Sequence, residues 1–172
     1  MSKLLMSQLA ATNMVYMRFS FDYFLDSMDR LGVHQLELYG CSHHFHFYDS
    51  AENPTPAMKK KLQERGFKVV SLMPEENTYA VNIAAPEANI RNKTVEQYQR
   101  FIEAAAELEC PQMLLCPGRP YWNLPMSEGY KWGRDSVERL VRHAEKYQVV
   151  LMYENLNERE SCLATNRFDQ FR

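Results

Sequence analysis

Phe67-Lys68-Val69-Val70-Ser71-Leu72-Met73 is a short apolar run set between Gly66 and Pro74. Downstream, Thr94-Val95-Glu96-Gln97 has the pattern of a capping box, and Val95, Tyr98, Ile102, Ala105 and Leu108 recur at helical spacing, before a second apolar run at Gln112-Met113-Leu114-Leu115-Cys116. A strand, an amphipathic helix and another strand follow in order. The same grammar extends both ways. Upstream, Leu4 to Ala10 is expected as a buried strand, and Phe21 to Leu31 as a helix with Phe24, Leu25, Met28 and Leu31 inward and Gly32 as its stop. Gln35 to Tyr39 reads as a strand, and Thr55-Pro56 opens a helix that Gly66 closes. Downstream, Asp135 to Tyr147 places Val137, Leu140, Val141 and Ala144 on one stripe, and Val149 to Tyr153 forms the last strand.

Near-continuous apolar strands alternating with helices indicate a parallel sheet with helical cover. The class is α/β. An open doubly wound sheet and a (β/α)₈ barrel both fit this pattern, but the long, chemically varied loops all follow strands, as on the active face of a barrel. The expectation is a partial (β/α)₈ barrel of about five β/α units with parallel strands, residues 1–172 forming one domain. With 172 residues and 45% hydrophobic content, a sizeable core is within reach.

A net charge of -2 and a pI near 6.2 give no reason to expect nucleic acid or an anionic membrane as partner. A small polar ligand suits this balance. Four cysteines without a CxxC pair, and no long apolar run, point to reduced thiols in the cytoplasm. Neither a GxGxxG nor a Walker sequence occurs, which disfavours nucleotide cofactors.

The segment Leu151-Met152-Tyr153-Glu154 ends an apolar strand on a carboxylate, at the rim where parallel sheets present ligands. Glu154 is the leading candidate for a hard divalent cation; an equally open reading is that it enters solvent, and Glu160 shares that ambiguity. Three of the five histidines, His43, His44 and His46, share one aromatic loop without the i, i+4 spacing of a helical zinc site. They suit hydrogen bonds to hydroxyls, or simple packing over a barrel mouth. Glu37 alternates with Leu36 and Leu38, so if the leucines face the helices it points inward and needs a partner. The loop with Glu75, Asn77, Tyr79 and Asn82 mixes acceptors, donors and an aromatic face suited to a polyhydroxylated ligand, and equally to any solvated loop. Arg119, Tyr121 and Trp122 form either a lid over a ligand or a subunit contact.

Tyr153-Glu154-Asn155-Leu156-Asn157 through Glu160-Ser161 resembles the xylose-isomerase-like barrel superfamily, and within it the ketose 3-epimerase group, closest to fructoselysine 3-epimerases. Asn155 stands where the family usually has proline. The likeness extends to Leu36-Glu37-Leu38-Tyr39-Gly40 with His44, and to Pro74-Glu75, Asn77, Tyr79 and Asn82. The resemblance implies a ketose or ketosamine epimerase in which a divalent metal, manganese or a similar ion, is held by two glutamates, an aspartate and a histidine. It implies Glu154 as metal ligand and acid/base, and Glu160, His44, Glu75, Asn77 and Tyr79 as substrate-binding residues. It further implies that later metal ligands lie on strands six to eight. The chain is therefore expected to be a C-terminally truncated copy with weak or absent metal binding, inactive alone, and open to a homo-oligomer or complementing chain. Two alternatives stand beside this: a non-catalytic carbohydrate-binding or interaction module, and a relative of metal-dependent abasic-site endonucleases.

Overall fold

A computed structural model describes residues 5–41, 43–47, 52–75, 80–157, 159–161 and 163. Five parallel strands lie in chain order: β1 (Ala11–Thr12), β2 (Gln35–Gly40), β3 (Lys68–Pro74), β4 (Gln112–Leu115) and β5 (Val150–Tyr153). A doubly wound sheet reverses direction at a switch point, and this order does not. The sheet is the successive-strand wall of a barrel, covered by α1 (Phe21–Leu31), α2 (Thr55–Glu64), α3 (Ala88–Glu107) and α4 (Met126–Tyr147).

α1 forms where its sequence predicts. Ser20 accepts a hydrogen bond from Tyr23 N at its start, and Gly32 ends it at φ 68°. Phe24, Leu25 and Met28 are buried in the core, whereas Leu31, expected inward, is the last residue of the helix and 62% exposed. Val141 of α4 is likewise on the outer side, 40% exposed. Leu36, Leu38, Val69, Leu72, Met113 and Leu115 supply the sheet's helix-facing layer, and Val95, Tyr98, Phe101, Ile102 and Leu140 the helices'. Burying each such side chain contributes roughly 1.5–3 kcal/mol.

Three boundaries differ from the sequence reading. The run before Ala11 is not a buried strand: Met6–Gln8 is a 3₁₀ turn whose Gln8 side chain accepts from Leu5 N at 2.9 Å. Leu5, Met6 and Leu9 stay exposed, because pairing with β2 begins only at Ala11 opposite Leu36. α3 begins at Ala88, so Thr94 is not its cap. Its hydroxyl donates to Ile90 O and accepts from Asn82 N, fastening the preceding loop to the helix. α4 starts at Met126, with Pro125 as N-cap and Glu128 in the first turn, ahead of the expected Asp135.

The β2–β3 ladder contains a bulge. Leu36 pairs with Val69 but Glu37 pairs with Ser71, so Val70 is surplus. That extra residue lets Val69 and Leu72 both face the helices and turns Ser71 to the inner face beside Glu37.

Candidate functional site

Alternation sorts the side chains. With Leu36, Leu38, Met113 and Leu115 committed to the helix layer, Glu37 and Tyr39 of β2, Cys116 just after β4, and Glu154 just after β5 fall on the inner face. Glu154 continues the β4–β5 ladder by one bond, its N–H donating to Leu115 O at 3.0 Å. The Cys116 thiol then donates to Glu154 Oε2 at 3.4 Å.

Glu154 is half-buried at the C-terminal rim. Burial raises its pKa above the ordinary 4.5, and the charge of Glu160 adds to the rise. Glu160 itself is exposed and accepts from the Asn157 side-chain amide. Glu37 also has a raised pKa, first by burial and then by the charge of Glu154, with the Ser71 hydroxyl acting in opposition. The inward Glu37 thus meets a serine and a second carboxylate, where a cation would have relieved its burial. Ser71 Oγ, buried, makes no hydrogen bond of ordinary geometry among the described residues.

A chain of contacts ties the earlier loops together. Tyr39 donates its hydroxyl to Glu75 Oε2, while the buried Glu75 Oε1 has no partner among the described residues. Asn13, fully buried after β1, accepts from Tyr39 N at 2.7 Å and donates to Tyr39 O at 3.0 Å. Its amide also donates to His44 Nδ1 at 2.9 Å, and His44 Nε2 donates to Phe19 O at 2.8 Å. Phe19 O can only accept, so the hydrogen sits on Nε2. Both nitrogens of His44 are therefore engaged within the protein, where they hold the loop after β2 against β1. Asn77 and Tyr79 lie outside the described residues.

A second set of bonds joins the loops after β3, β4 and β5. Asn82 Oδ1 accepts from Ala84 N and Arg119 N, both at 3.0 Å, and its amide donates to Arg119 O at 2.7 Å. Ser161 Oγ donates to Gly118 O at 2.7 Å, and Asn157 O accepts from the Glu160 and Ser161 N–H groups at 3.0 Å. The turn carrying Glu160 is thereby anchored on the β4 loop. Beside it, Asn82, Glu87, Ile90, Arg119, Tyr121 and Trp122 border a cleft of about 680 Å³. Trp122 is 81% exposed, and Tyr121 donates to Glu87 Oε1 at 2.7 Å. Among the described residues, neither Glu37 nor Glu154 lines this cleft.

Sequence reasoning marked Glu154, Glu160 and Glu75, and the inner face brings Glu154 together with Glu37 and Cys116. It missed Asn13, Ser71 and Cys116. The position of Asn13 follows once β1 is placed at Ala11–Thr12, and that of Ser71 once the bulge is counted; neither is visible in a periodicity. Glu154 is a hard oxygen donor of the kind a divalent ion takes, but among the described residues no three His, Cys, Asp or Glu side chains gather as a metal site. The described donors therefore do not make a complete site. Among the described residues, no helix is long and apolar enough to cross a membrane. Among the described residues, Cys41, Cys110 and Cys116 form no disulfide.

Residues 25–172 match the family model described as xylose isomerase-like TIM barrel. Among solved structures, a D-tagatose 3-epimerase-like protein is similar at 19% identity and a TM-score of 0.71, over 86% of this chain and 52% of its own. A D-psicose 3-epimerase from Clostridium cellulolyticum gives 14% identity and a TM-score of 0.69, over 93% and 56%. A 3-keto-D-glucoside 4-epimerase from E. coli gives 16% and 0.72, over 95% and 61%. Such identities show the shared fold, and the chain spans little more than half the length of these structures. No curated protein matches the chain.

Proposed function

The chain belongs to the xylose isomerase-like TIM barrel family, and from that premise we propose that it carries part of a sugar-epimerase site, acting on a ketose or ketosamine, with Glu154 as its central group. The observation that carries the reading is the placement of Glu154. It is a half-buried carboxylate at the C-terminal end of a barrel strand, its pKa raised by burial and by Glu160. A carboxylate shifted toward neutrality is a better general base than a solvated one, as proton removal beside a carbonyl requires. Similarity to structures described as epimerases of tagatose, psicose and a ketoglucoside supports the substrate class.

In this reading Glu154 exchanges the proton on one face of the carbon next to the ketose carbonyl, and inversion needs a second acid/base on the opposite face. Cys116, donating to Oε2, fixes the carboxylate's orientation. Glu160, anchored through Ser161 and Asn157, orients sugar hydroxyls at the rim, with Glu75, Asn77 and Tyr79 serving the same end from the β3 loop. His44 acts indirectly, by holding its loop through Asn13. Glu154 would be one oxygen ligand of a divalent ion such as manganese, which when bound polarises the carbonyl. Because a full ligand set is absent among the described residues, the 172-residue polypeptide alone is expected to bind ketose without turning it over.

Calorimetric titration with D-fructose, with and without Mn²⁺, tests the reading alongside a chromatographic assay for C3 epimers. Binding that Glu154→Ala abolishes, without turnover, is the expected result. Efficient manganese-dependent turnover would overturn the expected inactivity, and absent binding would overturn the site. Binding that survives both chelator and Glu154→Ala would favour a non-catalytic carbohydrate module, a reading to which the incomplete donor set gives weight. An abasic-site nuclease is the weakest alternative. Phosphate-backbone affinity rests on Lys and Arg, and the chain's net charge is -2.

A further inference from the structure

The loop from Arg119 to Asn123 after β4 has no part in the chemistry assigned to Glu154, yet it forms one wall of the cleft of about 680 Å³. The other wall is the start of α3 and the residues leading into it. The two walls are fixed against each other. Asn82 bonds both the N–H and the C=O of Arg119, and Tyr121 donates to Glu87 Oε1 at 2.7 Å. The cleft therefore stands before any ligand arrives, and its volume falls within the roughly 300–1,000 Å³ of small-molecule sites. Trp122 lines it and is nevertheless 81% exposed, so most of its indole surface is available to a ligand.

The lining decides what fits. Pro86, Ile90 and Trp122 offer apolar surface, whereas Arg119, Glu87 and Asn123 offer a cation, an anion and an amide. Arg119 is tied to Asn82 through its backbone, so its guanidinium takes no part in that clamp, and Glu87 spends one carboxylate oxygen on Tyr121. An anionic ligand would meet Glu87, a cationic one would meet Arg119, and a purely apolar one would strip both of water at a cost. A sugar ring avoids all three: it is uncharged, its hydroxyls both donate and accept, and its C–H face packs against an aromatic ring. The turn carrying Glu160 is anchored by Ser161 to Gly118, the residue before Arg119, so the cleft adjoins the rim on which Glu160 stands. We propose that this cleft holds a second, uncharged sugar ring, so that the substrate is a ketose carrying a glycosyl unit. Trp122 is the stacking surface for that ring, and Arg119 and Glu87 bond its hydroxyls. The inference rests on the sugar reading of Glu154 and narrows it from ketoses at large to glycosylated ones.

The test titrates the whole chain with D-fructose and with lactulose, turanose and palatinose, which join a hexopyranose to fructose through different linkages. Calorimetry reads affinity. A Trp132→Phe background, which leaves Trp122 as the only indole, reads the cleft by fluorescence. At least one disaccharide should bind about tenfold more tightly than D-fructose, in keeping with a central aromatic contact, and should move Trp122 emission to shorter wavelength. Trp122→Ala should abolish that gain while leaving D-fructose affinity and Tm unchanged, and Arg119→Ala should remove part of it. The inference falls if no disaccharide gains over D-fructose. It falls equally if Trp122→Ala weakens D-fructose and the disaccharides alike, since Trp122 would then touch the ketose itself. D-fructose binding that depends on Glu154, with no gain from a second ring, removes this inference alone. Absence of binding by every sugar removes the reading of Glu154 with it.

Discussion

Replacing Gly118 by alanine probes the junction of three site loops at a single atom. Gly118 has φ 71°, in the left-handed region, where an L-residue costs roughly 1–2 kcal/mol. The added Cβ would also lie 2.6 Å from Asn82 Oδ1 and 2.9 Å from Ala84 N. Asn82 Oδ1 accepts from both Ala84 N and Arg119 N. Moving it loosens two hydrogen bonds worth about 1 kcal/mol each. The sum is roughly 3–4 kcal/mol, which for a chain of this size lowers Tm by about 6–15 °C. Gly32→Ala is the control: φ is 68° and nothing lies within 4 Å of the added Cβ, so it bears the backbone cost alone. Urea titration of both variants should separate them by about 2 kcal/mol. Equal destabilisation would refute the claim that Asn82 and Gly118 lock these loops.

Other outcomes follow from the same structure. The raised pKa values of Glu37 and Glu154 mean the folded state holds its protons more tightly than the unfolded one, whose carboxylates titrate near 4.5. The favourable contribution is therefore present in full below that value and lost as pH rises through the folded values. Glu37→Gln should accordingly gain stability over the unaltered chain at pH 7.5, the gain shrinking toward pH 5; a pH-independent difference would contradict this. Asn13→Ala should cost roughly 2–4 kcal/mol in urea unfolding, since it strips Tyr39 N and His44 Nδ1 of buried partners. Amide exchange at Tyr39 should quicken well beyond that at Leu72. Trp122→Ala should change stability by less than about 0.5 kcal/mol, given its exposure. A larger effect, rising with protein concentration in sedimentation experiments, would mark Trp122 as a subunit contact.

The order and kind of the elements were legible because the apolar runs switch cleanly between periods, and α1 and α2 carry unambiguous stops at Gly32 and Gly66. The starts of α3 and α4 were not, since Ala88 to Lys93 and Met126 to Arg134 offer helix-compatible residues without an apolar stripe. Thr94 shows the hazard: a threonine three residues before Gln97 has the form of a cap, and tertiary context gives its hydroxyl to Asn82 instead. Glu154 could be placed at a rim from its strand alone. Its neighbours could not, because Cys116 and Glu37 meet it through strand register, a relation between distant segments.

The surplus residue in β3 also bears on how this sequence can change length. Because Val70 belongs to neither face's regular count, the strand is two short segments in different phase joined at one point. Deleting Val70 would remove the surplus residue and leave a regular strand in which Val69 and Leu72 still face the helices and Ser71 still pairs with Glu37. A length change of one residue at this position is therefore absorbed without exchanging the two faces. In homologous barrels, gain or loss of the bulge should leave the polarity of the second half of the strand unchanged.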